Sequence, residues 1–187
     1  MTEPAPGAAV TAASKFLAYV LRHDPAAIGL TLDSGGWVAV DELMAAAGRH
    51  GRPLSAELLR RVVHAPGKRR FEIRDGRIRA AQGHSVPVDL GLTAVPPPAV
   101  LFHGTVARFL PGIMADGLRP GERIHVHLSA DPATAAAVGA RRGRPVVLRV
   151  DATGMHAAGH EFFRAANGVW LTARVPPGYI TRPAADP

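Results

Sequence analysis

The sequence predicts an α+β protein in two parts. Three features carry that prediction: three short stretches of helical periodicity before residue 65, a hairpin signal centred on Asp75-Gly76, and a strand-rich second half beyond Pro96-Pro97-Pro98. The chain has 187 residues, enough for one domain or two small ones. Its 47% hydrophobic and 20% charged composition is that of a folded chain and argues against a disordered or fibrous one.

Residues 1–13 are rich in Ala, Pro and Gly and read as a disordered leader. Ser14 is placed to cap a first helix carrying Phe16, Leu17, Val20 and Leu21, which Asp24-Pro25 should stop near His23. Trp37-Val38 reads as a short strand. Residues 40–47 form a second helix ended by Gly48, and Ser55 caps a third with Leu58, Leu59, Val62 and Val63. Residues 71–74 and 77–80 then flank the two-residue turn. Three helices followed by a basic hairpin suggest a winged-helix domain over residues 14–85, by analogy of fold.

The aperiodic stretch 86–98 is expected to be a linker, and 99–187 a second domain. There, residues 100–105 read as a strand, 108–116 as a helix stopped by Gly117, 123–129 as a strand, and 132–140 as a helix with Pro132 in its first turn. Strands over 145–150, 161–164 and 169–172 complete it.

Several function classes drop out. The absence of Cys excludes disulfides, thiolate catalysis and Cys-ligated zinc, and fits a cytoplasmic protein. No apolar run approaches the roughly 18 residues a membrane span needs, and the leader lacks the basic start and apolar core of a secretory signal. No GxGxxG follows a strand. Pro66-Gly67-Lys68 lacks the upstream glycine and following hydroxyl of a P-loop.

The formal charge is +7, with 22 Lys plus Arg, of which only Lys15 and Lys68 are lysines. Residues 58–79 hold eight basic and two acidic side chains. A polyanion partner and a merely solvated basic face are both consistent with that cluster. Along a strand over 123–129, His125, His127 and Ser129 would share one face, as a ligand-binding stripe, a solvated face or a two-histidine metal site. Nothing nearby completes a metal site, and none is expected. His103-Gly104-Thr105 sets an imidazole and a hydroxyl on one face, with a glycine between them that permits close backbone approach. Arg22-His23 and Arg141-Arg142 each end a helix, where cations also suit the helix dipole.

Taken together, the motifs Lys15-Phe16-Leu17-Ala18-Tyr19-Val20-Leu21-Arg22-His23, Gly36-Trp37-Val38, Arg70-Phe71-Glu72-Ile73 and Gln82-Gly83-His84-Ser85 are followed in order by four more. These are Phe102-His103-Gly104-Thr105, His125-Val126-His127-Leu128-Ser129, Val138-Gly139-Ala140-Arg141 and Asn167-Gly168-Val169-Trp170. This order resembles the KptA-type, NAD-dependent RNA (tRNA) 2′-phosphotransferases over nearly the whole chain. The resemblance implies a winged-helix domain followed by an ADP-ribosyltransferase-like domain. It also implies a two-step reaction. An internal RNA 2′-phosphate attacks the nicotinamide ribose of NAD and expels nicotinamide. The ribose 2″-hydroxyl then attacks phosphorus, releasing 2′-hydroxyl RNA and ADP-ribose 1″,2″-cyclic phosphate.

By the same resemblance Arg22, His23, Arg70 and Arg141 form the catalytic set. His103, Gly104, Thr105, His127 and Ser129 would contact the ADP-ribose part of NAD, and Asn167 and Gly168 the nicotinamide side. Gln82, Gly83 and His84 are candidates to touch RNA. Arg142 stands where the family often has His. The partner implied is RNA bearing an internal 2′-phosphate, tRNA included, acted on by a monomer without membrane attachment. Those residue types suit the chemistry. The substrate phosphate is its own nucleophile, guanidinium forks hold a phosphate bidentately, and His23 is the side chain able to move a proton near neutral pH. Two alternatives are an ADP-ribosyltransferase that stops after the first step on nucleic-acid ends or protein, and a non-catalytic winged-helix nucleic-acid binder, against which the intact Arg22, His23, Arg70 and Arg141 set argues.

Overall fold

A computed structural model describes residues 6–65 and 69–182. The Pro66-Gly67-Lys68 segment lies outside them, as do the first five residues of the expected leader. The chain is α+β, with small antiparallel sheets, and divides into two compact units, Met1–Gly91 and Leu92–Pro187.

In the first unit, helix α1 spans Pro6–Arg22, so it starts eight residues before the expected Ser14 cap, and residues 6–13 are helix rather than disordered leader. Alanine-rich sequence favours helix once one face has something to cover. Here Ala13 is buried and Val10 packs against the core. Leu17, Val20 and Leu21 are fully buried at helical spacing. Strand β1 is Val38–Ala39, and α2 runs Val40–Arg49, through the expected Gly48 stop to His50. Helix α3, Ala56–Val63, begins as expected, with the Ser55 hydroxyl accepting from Leu58 N at 3.1 Å.

Strands β2 (Phe71–Arg74) and β3 (Arg77–Ala80) pair antiparallel in the expected register. Asp75 and Gly76 both have positive φ, 49° and 70°, as a tight two-residue hairpin turn requires. Strand β3 lies centrally, pairing also with β1. Leu43, Ala46, Leu59, Val62, Phe71 and Ile78 close the core over α1.

In the second unit, β4 (Val100–Val106) pairs with β6 (Pro145–Asp151), which pairs in turn with β9 (Ile180–Thr181). A second sheet has the order β5 (Val126–Leu128), β8 (Trp170–Thr172), β7 (Phe163–Arg164). Mutual backbone bonds of 2.8 Å between Phe102 and Ser129 join β4 to the end of β5. Helix α4 is shorter than expected, Leu110–Asp116, preceded by a 3-10 turn over Ala107–Phe109. Helix α5 is Pro132–Gly139, capped by Asp131, whose carboxylate accepts from Thr134 N at 2.7 Å. A 3-10 turn, Ala140–Arg142, extends it. Helix α6, Ala152–Ala157, was not expected from the sequence; Asp151 caps it, its carboxylate accepting from Gly154 N at 2.9 Å. Leu101, Leu128, Leu148, Met155 and Phe162 are the centre of this core.

Residues 86–98, expected as a linker, are bonded at both ends. Asp89 N donates to Ser34 O at 2.7 Å in the first unit, and Val95 N to Phe162 O at 2.8 Å in the second. Among the described residues no helix is long and apolar enough to cross a membrane.

Candidate active site

Of the sequence-expected residues, Arg22, His23 and Arg70 lie in the first unit. Arg22 is the last residue of α1, where the helix leaves its final carbonyls without intrahelical partners. The segment after β3 supplies them: Ser85 N and Val86 N both donate to Arg22 O, at 2.8 and 3.2 Å. Arg22 extends a guanidinium nitrogen to Arg70 O at 3.4 Å, and its charge lies 6.0 Å from the centre of the Phe71 ring. This brings the end of α1 and the start of β2 together. His23 is exposed, with Nδ1 2.9 Å from the Ser85 hydroxyl. Arg70 is half-buried.

Gly83 adopts φ +89° against the Arg22 side chain, a conformation L-residues rarely take. His84 is 2% exposed, and its Nε2 has no hydrogen-bond partner. Burial pushes its pKa down to about 4, reinforced by the charges of Arg22, Arg79 and His23. It is therefore a neutral ring against a basic cluster, and its burial leaves it poorly placed for the RNA contact considered from the sequence. Arg79 is fixed beside it. The guanidinium stacks 4.5 Å over Trp37, pairs with Glu72 at 2.5 Å, and donates to Gly35 O and Leu90 O at 3.2 Å.

In the second unit His103 and His127 come together. His103 Nδ1–H donates to His127 O at 3.1 Å, which leaves Nε2 as the acceptor of a neutral imidazole. Burial lowers the His103 pKa, and Arg142 and Arg123 lower it further against the opposing effect of that bond. Arg123 reaches His127 Nδ1 at 3.4 Å. Partial desolvation and the neighbouring Arg142 and Arg141 disfavour the charge on Arg123. Neither Arg123 nor Arg142 was expected as a member of this cluster. Their signal was an arginine just before the β5 strand and a doubled arginine at a helix end.

Gly104 has a packing reason. A Cβ there would sit 1.7 Å from Ala135 O, and one on Gly139 would sit 2.8 Å from Thr105 O. The close approach inferred from the sequence is thus made by α5 crossing β4 at two facing glycines. That crossing leads directly into the turn bearing Arg141, which is exposed. Thr105 is 5% exposed on the same strand. The expected His125, His127, Ser129 stripe is incomplete as a strand face. His125 precedes β5 and turns its ring against Phe163, 5.6 Å between centroids, while Ser129 forms the backbone bridge to Phe102. Asn167 and Gly168 form the turn before β8, with Asn167 Oδ1 accepting from Val169 N at 3.3 Å and Gly168 at φ +80°.

The family model for RNA 2′-phosphotransferases of the Tpt1/KptA family matches residues 8–174. A protein of Agrobacterium fabrum named probable RNA 2′-phosphotransferase is 60% identical over 173 residues, covering 91% of this chain and 93% of its own. Relatives of the same name from Streptomyces coelicolor and Pseudomonas aeruginosa are each 57% identical, over 91% and 89% of this chain and 94% and 93% of theirs. The chain belongs to the RNA 2′-phosphotransferase, Tpt1/KptA family.

Proposed function

We propose that this protein removes a 2′-phosphate from RNA by transferring it to NAD in two steps. The observation that carries the reading is family membership along residues 8–174, with Arg22, His23, Arg70 and Arg141 all present. The first unit is read as a winged-helix domain, supported by three helices followed by a hairpin on a three-stranded antiparallel sheet. The second is read as ADP-ribosyltransferase-like.

Several features of the second unit fit NAD as co-substrate. Neutral His103 offers Nε2 as an acceptor for a ribose hydroxyl. Arg123, Arg141 and Arg142 have no ion-pair carboxylate among the described residues, which suits a diphosphate. Thr105, His127, Ser129, Asn167 and Gly168 are assigned to the same ligand by family position. Gly104 belongs with them because it sets the strand bearing His103 and Thr105 against α5.

In step one the RNA 2′-phosphate, carrying a charge of about −2, forms the bond to the ribose carbon as nicotinamide leaves. Arg22 and Arg70 hold it in line. In step two the ribose 2″-hydroxyl attacks phosphorus and the RNA 2′-oxygen departs. Charge grows on phosphoryl oxygens, where fixed guanidinium groups stabilise it without reorganising. Arg141 takes that part, and His23 moves the proton.

The test is incubation of the protein with NAD and an oligoribonucleotide bearing one internal 2′-phosphate, with products identified by mass spectrometry. A 2′-hydroxyl oligonucleotide and ADP-ribose cyclic phosphate are expected. An unchanged oligonucleotide with folded protein refutes the reading, and stable ADP-ribosylated RNA without cyclic phosphate limits the enzyme to step one.

A further inference from the structure

Ser85 has no assigned role, yet its position is determined by three bonds. Its backbone N–H, with that of Val86, donates to the Arg22 carbonyl at 2.8 and 3.2 Å. Its hydroxyl lies 2.9 Å from His23 Nδ1 and 3.4 Å from Arg22 O. A hydroxyl has a single hydrogen to donate. That hydrogen goes to Arg22 O, so the hydroxyl oxygen accepts from Nδ1–H of the neutral His23 ring. We propose that Ser85 is a positioning residue for His23, fixing the ring and its tautomer so that Nδ1 carries the hydrogen and Nε2 is the nitrogen that exchanges a proton at the substrate phosphate. This rests on the proposed role of His23 in phosphate transfer.

The arrangement serves both charge states of the ring. When the imidazole is protonated both nitrogens donate, and the Ser85 hydroxyl goes on accepting from Nδ1–H while directing its own hydrogen to Arg22 O. His23 therefore keeps its orientation as it takes and gives a proton at Nε2, and no side chain has to move. The charged and titratable groups around it include Arg22 and Asp24 on either side in the chain and His84 on the segment that carries Ser85. Asp24 is itself engaged by the Tyr19 hydroxyl at 3.0 Å. The backbone clamp on Arg22 does not need the serine side chain, so removing the hydroxyl leaves the helix end in place.

The experiment compares wild type, Ser85→Ala and Ser85→Thr in two measurements. Long-range proton–nitrogen spectra of histidine-labelled protein, with His23 assigned through His23→Asn, read the ring nitrogens directly. The expectation is a protonated, hydrogen-bonded Nδ1 in wild type whose resonances shift in Ser85→Ala and return in Ser85→Thr. In the RNA assay, Ser85→Ala is expected to lower kcat about threefold to tenfold, the worth of one ordinary hydrogen bond. KM for RNA and NAD stays within about twofold, since uniform binding is untouched, and Ser85→Thr recovers the rate. His23 resonances identical in wild type and Ser85→Ala would overturn the proposal. So would an unchanged kcat alongside shifted resonances. If wild type transfers no phosphate, the functional reading fails, while the spectra still decide whether Ser85 sets the ring.

Discussion

Gly104→Ala should damage the second unit out of proportion to the one methyl it adds. The new Cβ would fall 1.7 Å from Ala135 O, 2.6 Å from Ala135 C and 2.9 Å from Gly139 N, all backbone atoms of α5. Ordinary contact begins at 3.4 Å, so helix and strand must part by about 1.7 Å along that line. A carbonyl in a helix cannot swing aside as a side chain end can, and the backbones run close elsewhere in the crossing too, since a Cβ on Gly139 would sit 2.8 Å from Thr105 O. Overpacking of this kind costs about 1–3 kcal/mol. The lower backbone entropy of the unfolded alanine chain returns less than about 1 kcal/mol. The net expectation is a loss of about 1–2 kcal/mol in urea unfolding. Activity should fall further than stability does, because the displaced helix carries the Ala140–Arg142 turn. Gly112→Ala is the control, since nothing lies within 4 Å of a Cβ there and its helix should tolerate or gain from alanine. Wild-type stability and activity in Gly104→Ala would refute the crossing as the reason for that glycine.

His84 makes stability depend on pH. Its folded pKa of about 4 lies below the ordinary 6.5, so the unfolded chain binds its proton first. Its contribution is intact above about pH 7 and declines as pH falls from 6.5 toward 4, by up to about 3 kcal/mol; urea midpoints of wild type and His84→Gln against pH should diverge in that window. Arg79→Lys gives up a fork engaged with Glu72, Gly35 O and Leu90 O and a stack on Trp37, with an expected cost of about 2 kcal/mol by denaturation. A stable variant would show those contacts to be idle. His23→Ala and Arg141→Ala should impair the second chemical step and accumulate ADP-ribosylated RNA, seen by mass spectrometry; full wild-type turnover in both would remove them from the site.

Local signals were legible where the physics is local. The Ser55 cap, the Asp75-Gly76 turn and the β2–β3 register depend on neighbours within a few residues, and all three stand as expected. The start of α1 was not legible, because alanines at 8, 9, 12 and 13 are helical only once Val10 and Ala13 find a core supplied by later segments. The stripe expected over 123–129 failed in the same way. Alternation suggested seven residues of strand, but pairing with β8 covers only Val126–Leu128, and His125 is drawn toward Phe163 instead. Gly104 was singled out for the right property, close backbone approach, although its partner is a helix 30 residues on that no local pattern reveals.

Charge shows the same limit from another direction. Among the described residues, four basic side chains of the 58–79 stretch have carboxylate partners: Arg60 with Glu57, Arg74 with Asp75, Arg77 with Asp33 and Arg79 with Glu72. Two of those partners, Asp33 and Glu57, lie outside the stretch, so a count along the chain could not include them. The exposed pairs contribute little to stability, yet each offsets a charge that would otherwise attract a polyanion. In the second unit Arg108, Arg123, Arg141 and Arg142 have no carboxylate within ion-pair distance among the described residues, and two of them stack over the exposed Phe109 ring. They come from three separate elements and make no run in the sequence. Phosphate recognition needs guanidinium groups that are close together and not already engaged. By that criterion the unengaged arginines of the second unit are a group the linear charge profile passes over, and Arg123 beside His127 belongs to it as much as Arg141 does.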